Sequence, residues 1–276
     1  MADASLKVSA IQREKRLFHY QIRACAYLAF AAVGVWIISY LFPTFFVYPY
    51  FTWSGWEAVL KFWPLFAWGA GLTLLLRLQN NSKIPTRLNR ALLRWEIVTS
   101  TLAGIWEELG YRWAFICYAM IGIEMVKWIF GAGIGWVVAV VCCICTIVLW
   151  LKKERHAALW TLGGTILAVL FALYADPVYW FYELVVWVVH FTTLTMMDPV
   201  LYGEHQSLFI FGAILANSWF RDGHKYQGPF GLVNSWYAGM VLLYATVTYG
   251  LWTAIVIHAL YDILIGMIRF ILQQTK

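Results

Sequence analysis

Charged side chains are scarce in this chain: Asp, Glu, Lys and Arg make up only 12% of its 276 residues. A soluble domain carries about 25% of these residue types, so the composition excludes an ordinary soluble globular protein. Hydrophobic residues make up 62% of the chain, which is typical of an integral membrane protein. The 17 Trp and 16 Tyr residues fit aromatic belts at the two membrane interfaces.

Several other signals are missing from the sequence. The first 20 residues are polar and basic and lack the apolar core and cleavage site of a signal peptide, so we expect residues 1–20 to form a cytoplasmic tail. The five cysteines lie in apolar stretches, where cysteine usually behaves as a small hydrophobic residue, so nothing indicates disulfide bonds. The net charge of +6 is concentrated in short loops and favours a role in membrane topology over nucleic-acid binding.

Long apolar runs recur along the rest of the chain. Runs of about the 20 residues that one crossing needs lie at about 21–42, 58–78, 95–122, 128–151, 157–175, 178–198, 206–222, 231–249 and 251–272. We therefore expect an all-α polytopic membrane bundle with about eight or nine transmembrane helices, folded as a single domain over 1–276.

Basic residues fall in alternate loops between these runs. The three clusters are Lys7, Arg13, Lys15 and Arg16, then Lys83, Arg87, Arg90 and Arg94, then Lys152, Lys153 and Arg155. By the positive-inside rule, we expect the N-terminus and all three clusters on the cytoplasmic side, and the aromatic-rich loop 43–56 on the other side.

Ionisable side chains interrupt two of the apolar runs. Glu107, Glu108 and Arg112 lie in one run, and His258 and Asp262 lie in the last one. A charged group at mid-membrane depth costs roughly 2.5–3.5 kcal/mol on insertion scales. The four charged residues, Glu107, Glu108, Arg112 and Asp262, therefore oppose insertion by about 10 kcal/mol. We expect these residues to surround a polar intramembrane cavity, because such groups usually face a protein interior and serve a function.

The spacing of these residues favours pairing within each helix. Glu108 and Arg112 are four residues apart and share a helix face, whereas Glu107 is rotated by about 100° from Glu108 and is available to hold a water molecule. His258 and Asp262 are also four residues apart, so the carboxylate can orient the imidazole. A buried structural ion network is the alternative explanation of the same residues.

Three short motifs occur in order along the chain. They are Glu107-Glu108-x-x-x-Arg112, Phe220-x-x-x-His224 and His258-x-x-x-Asp262. Together they resemble the motifs of the CAAX protease and bacteriocin-processing family, which includes the type II CAAX prenyl endopeptidases. The resemblance covers about residues 100–125 and 205–270, and residues 127–200 form inserted spans between the first and second motifs.

The resemblance implies an intramembrane endopeptidase whose catalytic residues come from all three motifs. The implied set is Glu107, Glu108, Arg112, His224, His258 and Asp262. Glu107 would activate a water molecule with the help of His224, and His258 would stabilise the oxyanion. Glu108 and Arg112 would position the base or the substrate backbone.

Asp262 departs from the family pattern, in which an Asn is common at this position. An amide can donate a hydrogen bond to an oxyanion, whereas an ionised carboxylate cannot. We therefore expect Asp262 to orient His258.

Other ionisable residues of the chain are alternatives to those of the three motifs. His190 and His205 are rivals of His224, although only His224 follows a Phe by four residues. Glu183 and His190 are seven residues apart and share a helix face; a polar contact with another span is the simpler explanation of this pair.

The sequence leaves alternatives for the cofactor and the function. The implied glutamate mechanism needs no cofactor. Glu107, His224 and His258 have the side-chain types of a zinc site, but no H-E-x-x-H motif is present, so a zinc-dependent membrane metalloprotease is the weaker alternative. A non-catalytic immunity or scaffold protein of the same fold is another alternative. A transporter ranks last, because no internal repeat is evident.

Partners and location follow from the same resemblance. The expected partners are membrane lipid and a membrane-anchored peptide or protein substrate, prenylated or carrying a C-terminal sorting signal or a leader, and we expect no nucleic acid. The expected location is the bacterial plasma membrane, with the endoplasmic reticulum as the alternative.

Overall fold

The structure, a computed structural model, describes residues 2–41, 51–79, 90–174, 177–203, 207–225 and 228–274. Throughout these ranges the chain is helical apart from short turns, and they contain no β-strand. This confirms the predicted all-α class. His205 and the basic residues Lys83 and Arg87 lie outside the described residues.

Twelve α-helices and two π-helical segments follow one another along the described residues. The α-helices are α1 (Ala2–Leu41), α2 (Gly55–Leu60), α3 (Trp63–Gln79), α4 (Arg90–Leu109), α5 (Phe115–Lys127), α6 (Ile134–Leu151), α7 (Arg155–Tyr174), α8 (Pro177–Thr192), α9 (Asp198–Leu201), α10 (Ser207–Gly223), α11 (Gly228–Tyr249) and α12 (Leu251–Gln274). The π-helical segments are π1 (Gly110–Ala114), between α4 and α5, and π2 (Trp128–Gly133), between α5 and α6.

The chain divides into two compact units. The first unit comprises 1–117 and 213–276, and the second comprises 118–212. The second unit contains the stretch 127–200, which the sequence predicts to form inserted spans. All residues of the three motifs lie in the first unit.

Helix α12 is the central element of the first unit. It packs against α3, α4 and α11, and α4 also packs against α1. Buried apolar side chains of α2, the turn after it, α3, α11 and α12 form one core cluster, which consists of Val59, Phe62, Leu65, Leu242, Ala245, Ala254 and Ile257. A smaller cluster joins α1 to the end of π1 and the start of α5 through Val35, Ala114 and Cys117. This packing fixes α4 and α12, which carry the first and third motifs.

A single residue, Gly250, connects α11 to α12. Its φ of +93° lies in the left-handed region, which glycine adopts without a steric penalty. The segment before α2 closes over this turn: the hydroxyl of Ser54 donates to the carbonyl of Tyr249 at 2.7 Å, and the backbone N–H of Ser54 donates to Thr253 Oγ1 at 3.1 Å. The short connection holds α11 and α12 as an antiparallel pair.

A tight helical hairpin lies in the second unit. Helices α6 and α7 pack side by side, and a Cβ atom on Gly135 would lie only 2.6 Å from the Cβ of Ala172, so this close approach requires glycine. The hydroxyl of Thr146 donates to Thr161 Oγ1 at 2.9 Å. Large apolar side chains cover the outside of both helices, as expected for a hairpin surrounded by lipid.

Four helical stretches among the described residues are long and apolar enough to cross a membrane. They are Phe18–Ile37, Ile97–Leu151, Arg155–Tyr174 and Leu251–Leu272, and two shorter apolar helices span Trp63–Leu75 and Val178–Thr192. The chain is therefore compatible with a membrane protein, but the predicted eight or nine crossings are not confirmed. One reason is that two predicted runs merge into the single 55-residue stretch Ile97–Leu151. Another is that α10 contains only 17 residues.

Candidate active site

A π-helical turn shapes the first motif. Helix α4 carries Glu107 and Glu108 near its end, and π1 follows at once with Tyr111 and Arg112. A π-turn widens the helix by one residue, and such turns frequently occur at functional sites. The motif therefore lies at an irregularity of an otherwise continuous helix.

A close approach of α4 to α12 brings the first and third motifs together. A Cβ atom on Gly104 would lie 2.9 Å from the backbone nitrogen of Ala259, so only glycine allows these two backbones to approach so closely. Gly104 precedes Glu108 by one helical turn, and Ala259 directly follows His258. The contact therefore places the side chains of Glu108 and His258 opposite each other.

Glu108 is the central residue of a buried ion network. The Nδ1–H of His258 donates to Glu108 Oε1 at 2.8 Å, and Arg112 Nε lies 3.6 Å from Glu108 Oε2. The three side chains are buried, and the exposed fraction of Glu108 is 0%. The Glu108–Arg112 pair agrees with the four-residue spacing in the sequence. The guanidinium charge of Arg112 and the hydrogen bond from His258 offset the free-energy penalty of burying this carboxylate.

Arg112 connects the network to α10 and α11. Its Nη2 donates to the carbonyl oxygen of Gly239 at 3.0 Å, and its guanidinium carbon lies 4.6 Å from the ring centroid of Phe220. Phe220 is the first residue of the second motif. Arg112 therefore connects the first motif to the second, and Glu108 connects it to the third through His258.

Two further carboxylates face the other nitrogen of His258. Its Nε2 lies 3.9 Å from Glu107 Oε2 and 3.7 Å from Asp262 Oδ2. These distances exceed those of direct hydrogen bonds and are short enough for one water molecule to contact two of the groups. Glu107 Oε2, Asp262 Oδ2 and His258 Nε2 therefore surround one small polar space.

His224 lies beside this space, directly after α10. Its ring centroid is 4.6 Å from that of Phe220, and its Nδ1–H donates to the carbonyl oxygen of Phe220 at 2.8 Å. This hydrogen bond leaves Nε2 as the basic nitrogen of the neutral ring. Burial lowers the pKa of His224 below its ordinary value of 6.5, so the imidazole is neutral at pH 7.

A cavity of about 780 Å³ opens in the first unit at these residues. Its lining includes Glu107, His224, His258 and Asp262, whereas Glu108 and Arg112 are buried and do not line it. Polar side chains continue along its walls, among them Gln21, Thr73, Ser100, Asn234 and Arg269. A cavity of this volume is typical of ligand-binding sites and is large enough for a segment of peptide.

The orientation of His258 differs from the sequence-based expectation. The sequence assigns this role to Asp262, but Glu108 accepts the Nδ1–H hydrogen bond, and Asp262 faces Nε2. The reason is the packing of α4 against α12. The close approach at Gly104 brings the Glu108 carboxylate nearer to Nδ1 than the carboxylate of Asp262, which lies one turn further along α12. Glu107 lines the cavity, as its rotation from Glu108 on the helix suggested.

Sequence reasoning missed one buried polar residue beside the site. Asn217 of α10 is fully buried; its Nδ2 donates to the carbonyl of Trp236 at 3.3 Å, whereas Oδ1 has no partner among the described residues. A Cβ atom on Gly239 would overlap with this Oδ1, so glycine at 239 makes room for the amide. A lone amide in the apolar run of α10 was the signal that could have identified it.

The rival histidine His190 lies in the second unit. Its Nδ1–H donates to Asp198 Oδ1 at 2.7 Å, and Tyr202 contacts its ring at 6.0 Å between centroids. His190 therefore has a carboxylate partner within its own unit. Glu183 lies on the same helix, α8, with an exposed side chain.

Metal-ligating side chains do not form a cluster in the described part of the chain. No group of three or more His, Cys, Asp or Glu side chains there has the arrangement needed to hold a metal ion. This applies to Glu107, His224 and His258, the set that the zinc alternative requires. It also applies to Cys142 and Cys145 of α6, which have C-x-x-C spacing.

Comparison of the chain with known protein families, with characterised proteins and with solved structures finds no match.

Proposed function

We propose that this chain is an intramembrane endopeptidase that uses a glutamate-activated water molecule. The observation that supports this proposal best is the shared cavity: Glu107, His224, His258 and Asp262 line one space of peptide size. The order of the three motifs, which resembles that of the CAAX protease and bacteriocin-processing family, supports it independently.

Glu107 is the general base of the proposed reaction. Its carboxylate removes a proton from a water molecule held between Glu107, His224 and His258, while the water oxygen attacks the peptide carbonyl carbon. The basic Nε2 of neutral His224 accepts a hydrogen bond from the same water and helps to orient it. The carbonyl π electrons move to the oxygen, so the product of this step is a tetrahedral oxyanion.

His258 stabilises that oxyanion by donating from Nε2. Because Nδ1–H already donates to Glu108, the ring must carry both protons when it acts as this donor. One such donor in a site shielded from water contributes about 3–4 kcal/mol to transition-state stabilisation. Glu108 and Arg112 then act as positioning residues, because they hold the ring without contacting the cavity.

The second half of the reaction returns the proton. The oxyanion collapses to a carbonyl, the C–N bond breaks, and the proton held by Glu107 passes to the leaving nitrogen. The products are a carboxylic acid and an amine, which ionise to carboxylate and ammonium by exchange of one proton, and Glu107 is again ionised. The cycle consumes one water molecule and needs no cofactor.

The proposed substrate is a membrane-anchored peptide or protein cut near its C-terminus or in its leader. The candidates are a prenylated C-terminus, a C-terminal sorting signal and a leader peptide. We propose the bacterial plasma membrane as the location, with the endoplasmic reticulum as the alternative.

The experiment that tests this proposal is a cleavage assay with a panel of such peptides. The purified protein in lipid nanodiscs is mixed with lipidated and transmembrane-anchored peptides, and the products are identified by mass spectrometry. We expect wild type to cut at least one peptide and Glu107→Gln to cut none. Glu57→Gln on α2, an exposed carboxylate outside the cavity, is the matched control and should cut like wild type.

A chelator arm separates the glutamate mechanism from a zinc mechanism. Cleavage that persists after dialysis against a chelator supports the role proposed for Glu107. Loss of cleavage that zinc restores would instead make Glu107, His224 and His258 candidate ligands.

A non-catalytic membrane protein of immunity or scaffolding type is the second candidate. The observation that favours it is the burial of Glu108, Arg112 and His258, which also suits a purely structural ion network. Absence of cleavage of every peptide by wild type would support this candidate over the endopeptidase.

A further inference from the structure

The motif residues offer few hydrogen-bond donors to the oxyanion of the proposed reaction. Around His258 Nε2, the side chains of Glu107 and Asp262 are carboxylates, which accept hydrogen bonds when ionised and cannot donate them. The Nδ1–H of His224 is occupied by the carbonyl of Phe220. Only His258 is therefore left among the motif residues that line the cavity.

Tyr111 is a further donor on the same wall of the cavity. It follows Glu107 by four residues, so the two side chains lie on one face of the helix, and both line the cavity. The Tyr111 hydroxyl has no hydrogen-bond partner among the described residues, and a phenol supplies one O–H donor. Tyr111 is not a motif residue, and its position in an apolar run does not mark it in the sequence.

The ring of Phe220 shows how close Tyr111 lies to the two histidines. Tyr111 contacts this ring edge-on at 5.4 Å between centroids, His224 contacts it at 4.6 Å, and His258 at 6.1 Å. Three polar groups therefore surround one aromatic side chain. The Tyr111 hydroxyl also reaches the end of α10, because its oxygen lies 3.3 Å from the point that a Cβ on Gly223 would occupy, directly before His224.

Aromatic contacts hold the Tyr111 side chain in place. Its ring makes an edge-on contact with Phe115 at 5.1 Å and a tilted contact with Trp106 at 6.5 Å, in addition to the contact with Phe220. A ring fixed on three sides presents its hydroxyl in one direction without paying conformational entropy during the reaction. The ring makes all of these packing contacts, whereas the hydroxyl makes no hydrogen bond among the described residues.

We propose that Tyr111 is a second oxyanion donor, whose hydroxyl donates to the substrate carbonyl oxygen beside the Nε2–H of His258. This inference rests on the proposed endopeptidase function. In the attack step the carbonyl oxygen gains the π electron pair, and the Tyr111 O–H donates to it without transferring its proton. Tyr111 thereby takes the role for which Asp262, as a carboxylate, is unsuited.

The test is Tyr111→Phe, which removes the hydroxyl and keeps the ring contacts. It uses the panel peptide that wild type cuts fastest, in the same nanodiscs. Removal of one oxyanion donor lowers kcat by about 10²–10³, so we expect a fall of this size with an unchanged KM. Tyr244→Phe on α11, which removes a half-buried phenol outside the cavity, should retain wild-type kcat.

A second measurement separates catalysis from structure. A phosphinic analogue of the same peptide carries a tetrahedral anionic centre and mimics the oxyanion. We expect Tyr111→Phe to weaken binding of this analogue by a factor similar to the fall in kcat. The uncut peptide should bind equally well to Glu107→Gln and to Glu107→Gln/Tyr111→Phe, two variants that do not cut it. Equal kcat in wild type and Tyr111→Phe would overturn the inference and leave the proposed function standing. An equal loss of binding for analogue and peptide would make Tyr111 a structural residue. Failure of wild type to cut any peptide would overturn the proposed function, and the inference with it.

Discussion

At the scale of single residues, the site depends on how a buried carboxylate is compensated. Glu108 is fully enclosed by protein, and its two partners Arg112 and His258 are 4% and 6% exposed. Breaking a buried ion pair by removing one partner costs about 3–5 kcal/mol, because a charge is then left without compensation. Replacing both members of the pair, the carboxylate included, by apolar residues avoids that penalty.

We predict that Arg112→Met lowers the free energy of unfolding by about 3–5 kcal/mol, because Glu108 loses the guanidinium charge that lies 3.6 Å from its carboxylate. The double variant Glu108→Met/Arg112→Met should lose less than the sum of the two single variants. The measurement is unfolding in mixed detergent micelles, followed by tryptophan fluorescence.

An exposed ion pair supplies the control for this cycle. Arg221 pairs with Asp222 at 2.6 Å, but both side chains are more than one-third exposed, so Arg221→Met should cost less than about 1 kcal/mol. Strict additivity in the Glu108/Arg112 cycle would show that the two side chains do not interact across 3.6 Å.

At the scale of helices, one glycine contact determines the geometry of the site. Gly104 allows α4 to approach the backbone of α12 at Ala259, and this approach brings Glu108 within hydrogen-bonding distance of His258. Extra atoms in a packed interior force backbone shifts that typically cost about 1–3 kcal/mol. The geometry of the site therefore depends on this contact.

We predict that Gly104→Ala destabilises the protein by about 1–3 kcal/mol and lowers peptide cleavage, because α4 and α12 must separate. The matched control is Gly71→Ala on α3, where a new Cβ meets nothing within 4 Å. Alanine is favoured over glycine in a helix by about 1 kcal/mol, so Gly71→Ala should be neutral or slightly stabilising. An unfolding free energy of Gly104→Ala at or above that of Gly71→Ala would contradict the close approach.

The same contact marks the limit of what the sequence could predict. Spacing along one helix was sufficient for the pairing of Glu108 with Arg112, because a four-residue separation puts two side chains on one face. Spacing could not identify Glu108 as the partner of His258 Nδ1, since those residues are 150 positions apart and meet through helix packing. Tyr111 and Asn217 were missed for a similar reason: an aromatic residue and an amide in apolar runs acquire significance only once their neighbours are known.

At the scale of the whole molecule, the sequence predicted the helical class better than the number of crossings. Apolar runs identify helices that lipid or protein can cover, but they do not separate one long helix from two short ones. Ile97–Leu151 was expected to form two spans and is one 55-residue helical stretch that includes two π-segments. The side of the membrane on which each loop lies stays a prediction from the positions of the basic residues.

We predict that the turn between α6 and α7 is cytoplasmic, because Lys152, Lys153 and Arg155 cluster there. In a variant whose five native cysteines are replaced by serine, Lys152→Cys in intact cells should react with a membrane-impermeant maleimide only after the membrane is opened. Trp53→Cys, in the predicted outward loop, should react in intact cells. Labelling of Lys152→Cys before the membrane is opened would contradict the predicted orientation and place this turn outside.

The most direct test of the central claim is the single-turnover rate of peptide cleavage by wild type and by Glu107→Gln in the same nanodiscs. General-base catalysis contributes about 10²–10⁴ to a rate, and the amide keeps the shape of the side chain while it removes the basic oxygen. The proposal predicts a fall of at least about 10² for Glu107→Gln and no change for Glu57→Gln. Equal rates for wild type and Glu107→Gln would contradict a glutamate-activated water molecule as the nucleophile.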